Sequence, residues 1–453
     1  MLDQTPKEII SRSGVCVNPM KTCQPVGALY AALGVHKCLP HSHGSQGCVS
    51  YHRTLLTRHF KEPAVASSSS FTEGASVFGG GANLKQSVKN IFDVYNPDII
   101  AVHTTCLSET IGDDLNSFIL DLDLPDGKYV VHCNTPSYVG SHVTGFGQMV
   151  AGFIKYLAKK EEKSDRIGIF PGFVNPGDIR ELKRLLKLMG VSAILLPDPS
   201  DALDGPMTGI YEMFPEGGCG LPEIRAIGGV RQALALGTLA SKEPALVLKS
   251  QCGVETALIP QPMGVANTDA FLRRLMDISG QPVPKELELE RGRLIDLMLD
   301  ANQYFYQKKV AIFGDPDTVT GLLSMALELG LFPIYVATGT PGEAFVKQCQ
   351  DIIAQYDVPE AKIKASSDLF ELHQWIKNER VDLLIGTSYG KQIAKAEDIP
   401  MVRAGFPILD RYGHAYHPLI GYHGARRLAE LVAGALMDRY DRDCADEDLD
   451  VVM

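Results

Sequence analysis

Two kinds of segment alternate along this chain: short apolar runs of strand length, and longer stretches in which apolar side chains recur every three or four residues. The runs at 98–103 (DIIAVH), 128–133 (KYVVHC), 166–170 (RIGIF), 193–196, 245–249, 256–259, 309–313, 333–337 and 381–385 predict buried strands. Helical spacing is kept by Val49, His52, Leu55, Leu56 and Phe60, and again by Ile179, Leu182, Leu185, Leu186 and Met189 in a helix over 178–190. Further helices are predicted over 143–159, 286–306, 318–329 and 367–378. Pro25 suits a first helical position, Ala28 to Leu33 are good helix formers, and Gly34 reads as a stop.

The charged stretch KKEEKSD from Lys159 and the break GQPVPK from Gly280 divide the pattern. The economical architecture is three doubly wound, Rossmann-like α/β domains with mainly parallel sheets, over residues 1–160, 161–280 and 281–453. The length of 453 residues suits about three domains of ordinary size.

Composition narrows the function. At 45% hydrophobic and 21% charged, the chain has the balance of a globular protein, and no apolar run is long enough to cross a bilayer. The start, MLDQTPKEIISRSG, lacks the basic and apolar regions of a secretory signal, so a cytoplasmic location is expected. There the ten cysteines stay reduced and serve as buried residues, ligands or reactive thiols. The net charge of −11, with no basic run interleaved with aromatics, argues against nucleic acid. The acidic end over 438–450 reads as solvated surface. No phosphate-loop or dinucleotide fingerprint is present; FGDPDTVTG at Phe313 reads as a strand-to-helix turn capped by Asp315 or Asp317. Gly79, Gly80 and Gly81 mark a turn.

Candidate chemistry gathers in the first segment. Cys23 and Cys48 each stand directly before a predicted helix, where unpaired N–H groups favour a thiolate and suit an anionic cluster. The loop after 98–103 carries Cys106 and then Ser108 as an N-cap, and the loop after 128–133 carries Ser137. Ligands of α/β sheets lie beyond the carboxyl ends of strands, which is where Cys106 and Ser137 stand. The thiols lack the close spacing of common zinc or ferredoxin sites, so each reads either as a buried thiol or as part of a shared site. Three thiolates leave a multi-iron cluster short of ligands, so Ser137 or a second chain must complete it. His41, His43, His52, His103 and His142 read as hydrogen-bonding histidines of the core or around the site. Asp296 and Asp300 lie four apart on a predicted helix, and the pair is either balanced by Arg293 or holds a hard cation with a third ligand such as Glu62.

The stretches KTCQPVGA, LPHSHGSQGCVSYHR, RHFKEP, VHTTCLSETIGDDL, NTPSYVGSHVTGF and RAGFPILDRYGH closely resemble the β-chain family of the nitrogenase molybdenum–iron protein, in order over nearly the whole chain. The short start resembles the compact clostridial type rather than β chains with a long N-terminal extension. The resemblance implies an α2β2 heterotetramer in which an eight-iron seven-sulfur P-cluster lies between the α and β chains. It matches Cys23, Cys48 and Cys106 to the β-chain cluster ligands and Ser137 to a redox-dependent serine ligand. By the same matching Tyr51 lies near the electron path, and Phe78 lies on the docking surface for the ATP-hydrolysing iron protein. Glu62, Asp296 and Asp300 match the ligands of a divalent cation, calcium or iron, between two β chains. The iron–molybdenum cofactor is expected in the α chain only, which makes this chain an electron relay for the reduction of dinitrogen to ammonia. Alternatives are a paralogous scaffold for cofactor assembly, or the β chain of a vanadium or iron-only nitrogenase.

Overall fold

A computed structural model of the chain describes residues 3–10, 12, 17, 18, 20–210 and 212–449. The acidic end expected at 438–450 is therefore described as far as Leu449: a helix, Gly421–Asp443, continues into it, and Asp450 lies outside the described residues.

The chain divides into two compact units, one of residues 22–261 with 412–416, the other of residues 1–21, 262–411 and 417–453. The first unit carries two sheets. Strands β1 (Cys38–His43), β2 (Ser67–Ser68), β3 (Ile99–Thr104) and β4 (Tyr129–Cys133) stand in the order β2-β1-β3-β4, and β5 (Ile167–Phe170), β6 (Ala193–Leu195), β7 (Ala233–Leu236) and β8 (Thr256–Ile259) in the order β6-β5-β7-β8. The second unit carries β9 (Lys309–Gly314), β10 (Phe332–Thr338), β11 (Lys362–Lys364), β12 (Leu383–Gly386) and β13 (Met401–Arg403) in the order β11-β10-β9-β12-β13. Every strand pairing in these sheets is parallel. In each sheet the order reverses beside the first strand, so each is doubly wound and opens a crevice at its carboxyl edge at that reversal.

Parallel strands are covered on both faces and so read as unbroken apolar runs. That is why 98–103 and 309–313 were legible: β3 and nearly all of β9 are buried. Strand β1 is buried along its whole length yet reads CLPHSH, and it was not expected. Its polar side chains are satisfied inside: His41 lies 2.9 Å from Ser67 and 2.8 Å from Ser69, and Ser42 lies 2.7 Å from His103. Pro40 precedes the short stretch, His41 and Ser42, that pairs with β2. The run 245–249 is not the strand expected: it lies in a helix, Lys242–Cys252, and the nearby strand is β7. Short apolar runs carry no periodicity that separates a buried helix from a buried strand.

The helices that matter for the site are α1 (Gln24–Leu33), α2 (Gln46–Phe60), α3 (Glu73–Phe78), α4 (Gly81–Tyr95), α5 (Cys106–Ile111), α6 (Leu115–Leu120) and α7 (His142–Leu157). Helix α4 places Leu84, Val88, Ile91 and Phe92 against Leu39, Ile100, Val102 and Val130 of the first sheet, each buried side chain contributing about 1.5–3 kcal/mol. Helix α1 is buried almost all round, the signature of a core helix, and it crosses α7 at two glycines. A Cβ on Gly27 would stand 1.7 Å from the His142 carbonyl oxygen, and one on Gly145 2.0 Å from that of Gln24. Backbone therefore meets backbone where the two helices start.

Candidate functional site

The reversal point of the first sheet lies between β1 and β3, and the loops leaving β1, β3 and β4 are neighbours on its carboxyl edge. Cys48 follows β1, Cys106 follows β3 and Ser137 follows β4, so the topology alone brings three of the four expected cluster residues to one edge. Cys23 is carried there by α1. Its neighbour Gln24 is buried, and its side-chain amide donates to the carbonyls of Pro136 and Val139 at 3.1 Å each, clasping the Ser137 loop from both sides. The Thr22 N–H donates to His142 Nδ1 at 3.2 Å, and the His142 N–H donates to the Thr22 carbonyl at 3.0 Å. Each such bond contributes about 1 kcal/mol, and together they fix the start of α1 beside the start of α7.

The remaining ties run across the edge. The Thr135 N–H donates to Thr104 Oγ1 at 2.6 Å and its hydroxyl to the Thr104 carbonyl at 2.7 Å, joining the Ser137 loop to the end of β3 just before Cys106. The Thr105 N–H and the Ser108 hydroxyl donate to the His43 carbonyl at 3.2 and 2.8 Å, joining α5 to the end of β1. The Cys23 sulfur lies 3.5 Å from His52 Nε2 on α2, the helix that carries Cys48, and the Ser45 hydroxyl donates to the Cys48 sulfur at 3.5 Å. Tyr51, half exposed on α2, has its hydroxyl 3.2 Å from Thr22 Oγ1.

Two local expectations change. Cys48 is the third residue of α2 rather than the residue before it, with Ser45 as the N-cap. Ser108 is the third residue of α5 and closes a reciprocal capping box with Thr105, the actual N-cap. In both cases the helix starts earlier than the apolar pattern shows, because its first turn is polar. Cys23 is the N-cap of α1, as expected. All three thiols thus stand in or at the first turn of a helix, where the N–H groups point toward negative charge.

Cys23, Cys48 and Cys106 are partly accessible, whereas Cys38, Cys133, Cys219, Cys252 and Cys349 are buried. Burial pushes the Cys23 thiol up, a contact with Thr22 works against that, and the neighbouring Cys48 adds to it. The same burial holds His52 down at about 4, so its ring is neutral beside the sulfur. The Ser137 hydroxyl is partly accessible and makes no hydrogen bond among the described residues. Among those residues, no group of three ligand atoms within 4.8 Å of one another includes any of the three thiols. A single tetrahedral ion needs its donors that close, so the three thiols do not form a site for a lone zinc, whereas a multi-iron cluster takes donors that stand farther apart.

The other expected residues are placed as follows. Phe78 ends α3 and is 90% exposed. Glu62 is half-buried just past the end of α2. Asp296 and Asp300 are exposed one turn apart on the helix Lys285–Asp300, and none of these three carboxylates takes part in an ion pair among the described residues, so Arg293 is not the partner considered for the aspartates. The histidines behave as read: His41, His43 and His103 are buried and bonded to serine hydroxyls. Gln24, Thr104 and Thr105, which hold the edge together, were not singled out; a buried glutamine in a helical first turn leaves no mark in a hydrophobic pattern.

Comparison with known proteins matches residues 23–437 to the nitrogenase component 1 type oxidoreductase family. The nitrogenase molybdenum–iron protein beta chain of Clostridium pasteurianum is 55% identical, with both chains covered in full. That of Azotobacter vinelandii is 38% identical over 95% of this chain and 86% of its own. A solved structure, nitrogenase Cp1 at pH 6.5, superposes with a TM-score of 0.99 at 55% identity over the whole of both chains.

Proposed function

This chain belongs to the nitrogenase component 1 type oxidoreductase family, as the beta subunit of a nitrogenase molybdenum–iron component, and we propose that its own part in the reaction is to relay electrons through the carboxyl edge of its first sheet. Membership of that family implies metal–sulfur clusters and an α/β complex. The finer reading is that Cys23, Cys48, Cys106 and Ser137 supply this chain's share of the ligands of an eight-iron seven-sulfur P-cluster completed by the α chain. When bound, such a cluster supplies one-electron storage between the iron protein and a cofactor held in the α chain.

What supports this reading is that four residues, spread over more than a hundred positions of sequence, lie on loops and helix starts at one sheet edge knit by the bonds of Gln24, Thr135 and Thr105. This chain's residues do three things there. The helix starts at Cys23, Cys48 and Cys106 present N–H groups that favour anionic sulfur. The buried neutral ring of His52 sits against the Cys23 sulfur at 3.5 Å and ties α1 to α2, the helix of Cys48. The Ser137 hydroxyl, with no bond to give up, is available as a harder oxygen donor that prefers the more oxidised metal. Tyr51, whose hydroxyl meets that of Thr22 next to Cys23 in sequence, is the residue expected near the electron path, Phe78 is the exposed aromatic offered to the iron protein, and Glu62, Asp296 and Asp300 are the acidic groups offered to a calcium or iron ion between two beta chains.

The test is the anaerobically purified α/β complex carrying Cys48→Ala or Cys106→Ala. Loss of cluster iron, of its spectra and of dinitrogen reduction is expected. Wild-type iron content and turnover in both variants would reject the assignment.

A further inference from the structure

The glycine triplet at 79–81 does more than supply the positive φ, 98°, that the turn requires of Gly79. It lies directly on a buried carboxylate: the Gly80 N–H donates to both oxygens of Asp113, at 3.1 and 3.0 Å. A Cβ on Gly80 would stand 2.8 Å from Asp113 Oδ2 and 2.1 Å from the Phe71 ring, one on Gly79 3.2 Å from Asp113 Oδ1, and one on Gly81 2.9 Å from the Phe118 ring. The turn that presents Phe78 is therefore seated on Asp113 without an intervening side chain.

Asp113 faces inward as well. Its Oδ2 lies 2.9 Å from Nε2 of the wholly buried His43, and its own N–H donates to the Ser108 carbonyl in α5 at 3.0 Å. His43 packs edge-on against Phe71 at 4.8 Å between ring centroids, and its backbone carbonyl receives the Thr105 N–H and the Ser108 hydroxyl that anchor α5. The next residue, Gly44, approaches Thr105 so closely that a Cβ would stand 2.0 Å from its hydroxyl oxygen. An unbroken series of contacts thus runs from the exposed Phe78 through Gly80, Asp113 and His43 to Thr105 and so to Cys106.

We propose that Asp113 is a positioning residue that couples the Phe78 turn to the helix carrying Cys106, so that a partner docking on Phe78 acts on the geometry of that thiol. The inference rests on the electron-relay reading and deepens it. A buried carboxylate with two backbone or ring donors on opposite sides is rigid: neither side moves without stretching a charge-assisted bond in a low-dielectric interior. Displacement of the turn is therefore passed on and not absorbed.

The test uses the full α/β complex with saturating iron protein and reads the rate of electron delivery by stopped flow. Asp113→Asn removes the negative charge from both bonds and replaces one acceptor oxygen by an N–H donor, so the bonds that Gly80 and His43 make to this side chain are weakened together. Electron delivery is expected to slow about tenfold, with iron content and the spectrum of the chemically oxidised cluster as in the wild type. Phe78→Ala combined with Asp113→Asn is expected to be no slower than the slower single variant; rate losses that multiply would overturn the coupling, as would an Asp113→Asn complex as fast as the wild type or one that has lost its iron. A second measurement needs no change at Asp113: amide exchange over 108–113 is expected to change when iron protein binds the wild type and not when it binds Phe78→Ala, and equal behaviour of the two overturns the proposal. A wild-type complex without a cluster would instead reject the relay reading itself.

Discussion

Replacing Gly27 by alanine tests whether the crossing of α1 and α7 is what presents Cys23 to the cluster edge. The new Cβ would stand 1.7 Å from the His142 carbonyl oxygen, 2.6 Å from its carbon and 2.7 Å from the Phe146 nitrogen, all of them backbone atoms that no rotamer change can move. Ordinary contact begins at 3.4 Å, so the helices must part by about 1.7 Å. The overpacking itself costs about 1–3 kcal/mol. Parting by that much also breaks the two bonds from Gln24 to the Pro136 and Val139 carbonyls, each worth about 1 kcal/mol. A total of ~4 kcal/mol in a unit of this size lowers the melting temperature by about 10 °C. The assay is calorimetry of the anaerobic α/β complex together with iron counting, and both melting temperature and iron content should fall. A Gly27→Ala complex with wild-type melting and full iron would show that the crossing does not position the thiol.

Three further outcomes are expected. His41 is fully buried and bonded to two serine hydroxyls, and burial holds its pKa down at about 3; because the unfolded chain takes up a proton near pH 6.5 that the folded chain refuses, stability should fall by ~1.4 kcal/mol per pH unit from that site as pH drops from about 6.5 toward 3, and His41→Gln should flatten the acid limb of stability measured against pH. An unchanged slope in that variant would refute the assignment. Ser137→Ala should leave iron content intact but raise the midpoint potential of the oxidised cluster couple, by about 60 mV for each ~1.4 kcal/mol of oxygen-donor stabilisation lost, as read by redox titration; a potential equal to the wild type would remove Ser137 from the ligand set. The Asp296→Asn/Asp300→Asn double variant, and chelator treatment of the wild type, should both shift the complex from tetramer toward αβ halves in sedimentation velocity, and indifference to both would end the cation reading.

The strands that were legible from sequence are those whose burial is apolar. Runs such as IIAV in β3 and VAIF in β9 announce themselves because parallel strands shielded on both faces need no alternation. Strand β1 hid because its interior is paired by hydrogen bonds among His41, Ser42, His43 and the serines beside them, a solution that depends on β2 and β3 being in place and so has no local signature. The residues at 245–249 misled in the opposite direction: Ala245 and Leu248 are buried as in a strand, but on a helix. At the site, Cys23, Cys48, Cys106 and Ser137 stood out through helix starts and strand ends, with the family resemblance joining them. The residues that hold them together did not, because Gln24, Thr135 and Asp113 act across gaps of 112, 31 and 70 residues, and spacing along a chain carries no trace of such pairings.

The clasp of Gln24 on the Ser137 loop also sets a timetable for the growing polypeptide. Cys23 leaves the ribosome early, but the carbonyls that hold its helix belong to Pro136 and Val139, and the helix it crosses runs on to Leu157. A nascent chain halted before α7 has all three candidate thiols, Cys23, Cys48 and Cys106, but lacks the helix against which α1 and Cys23 are set. On the proposed ligand assignment, the site for iron is complete only once the first sheet has closed and α7 has docked on α1, which would put metal loading after folding.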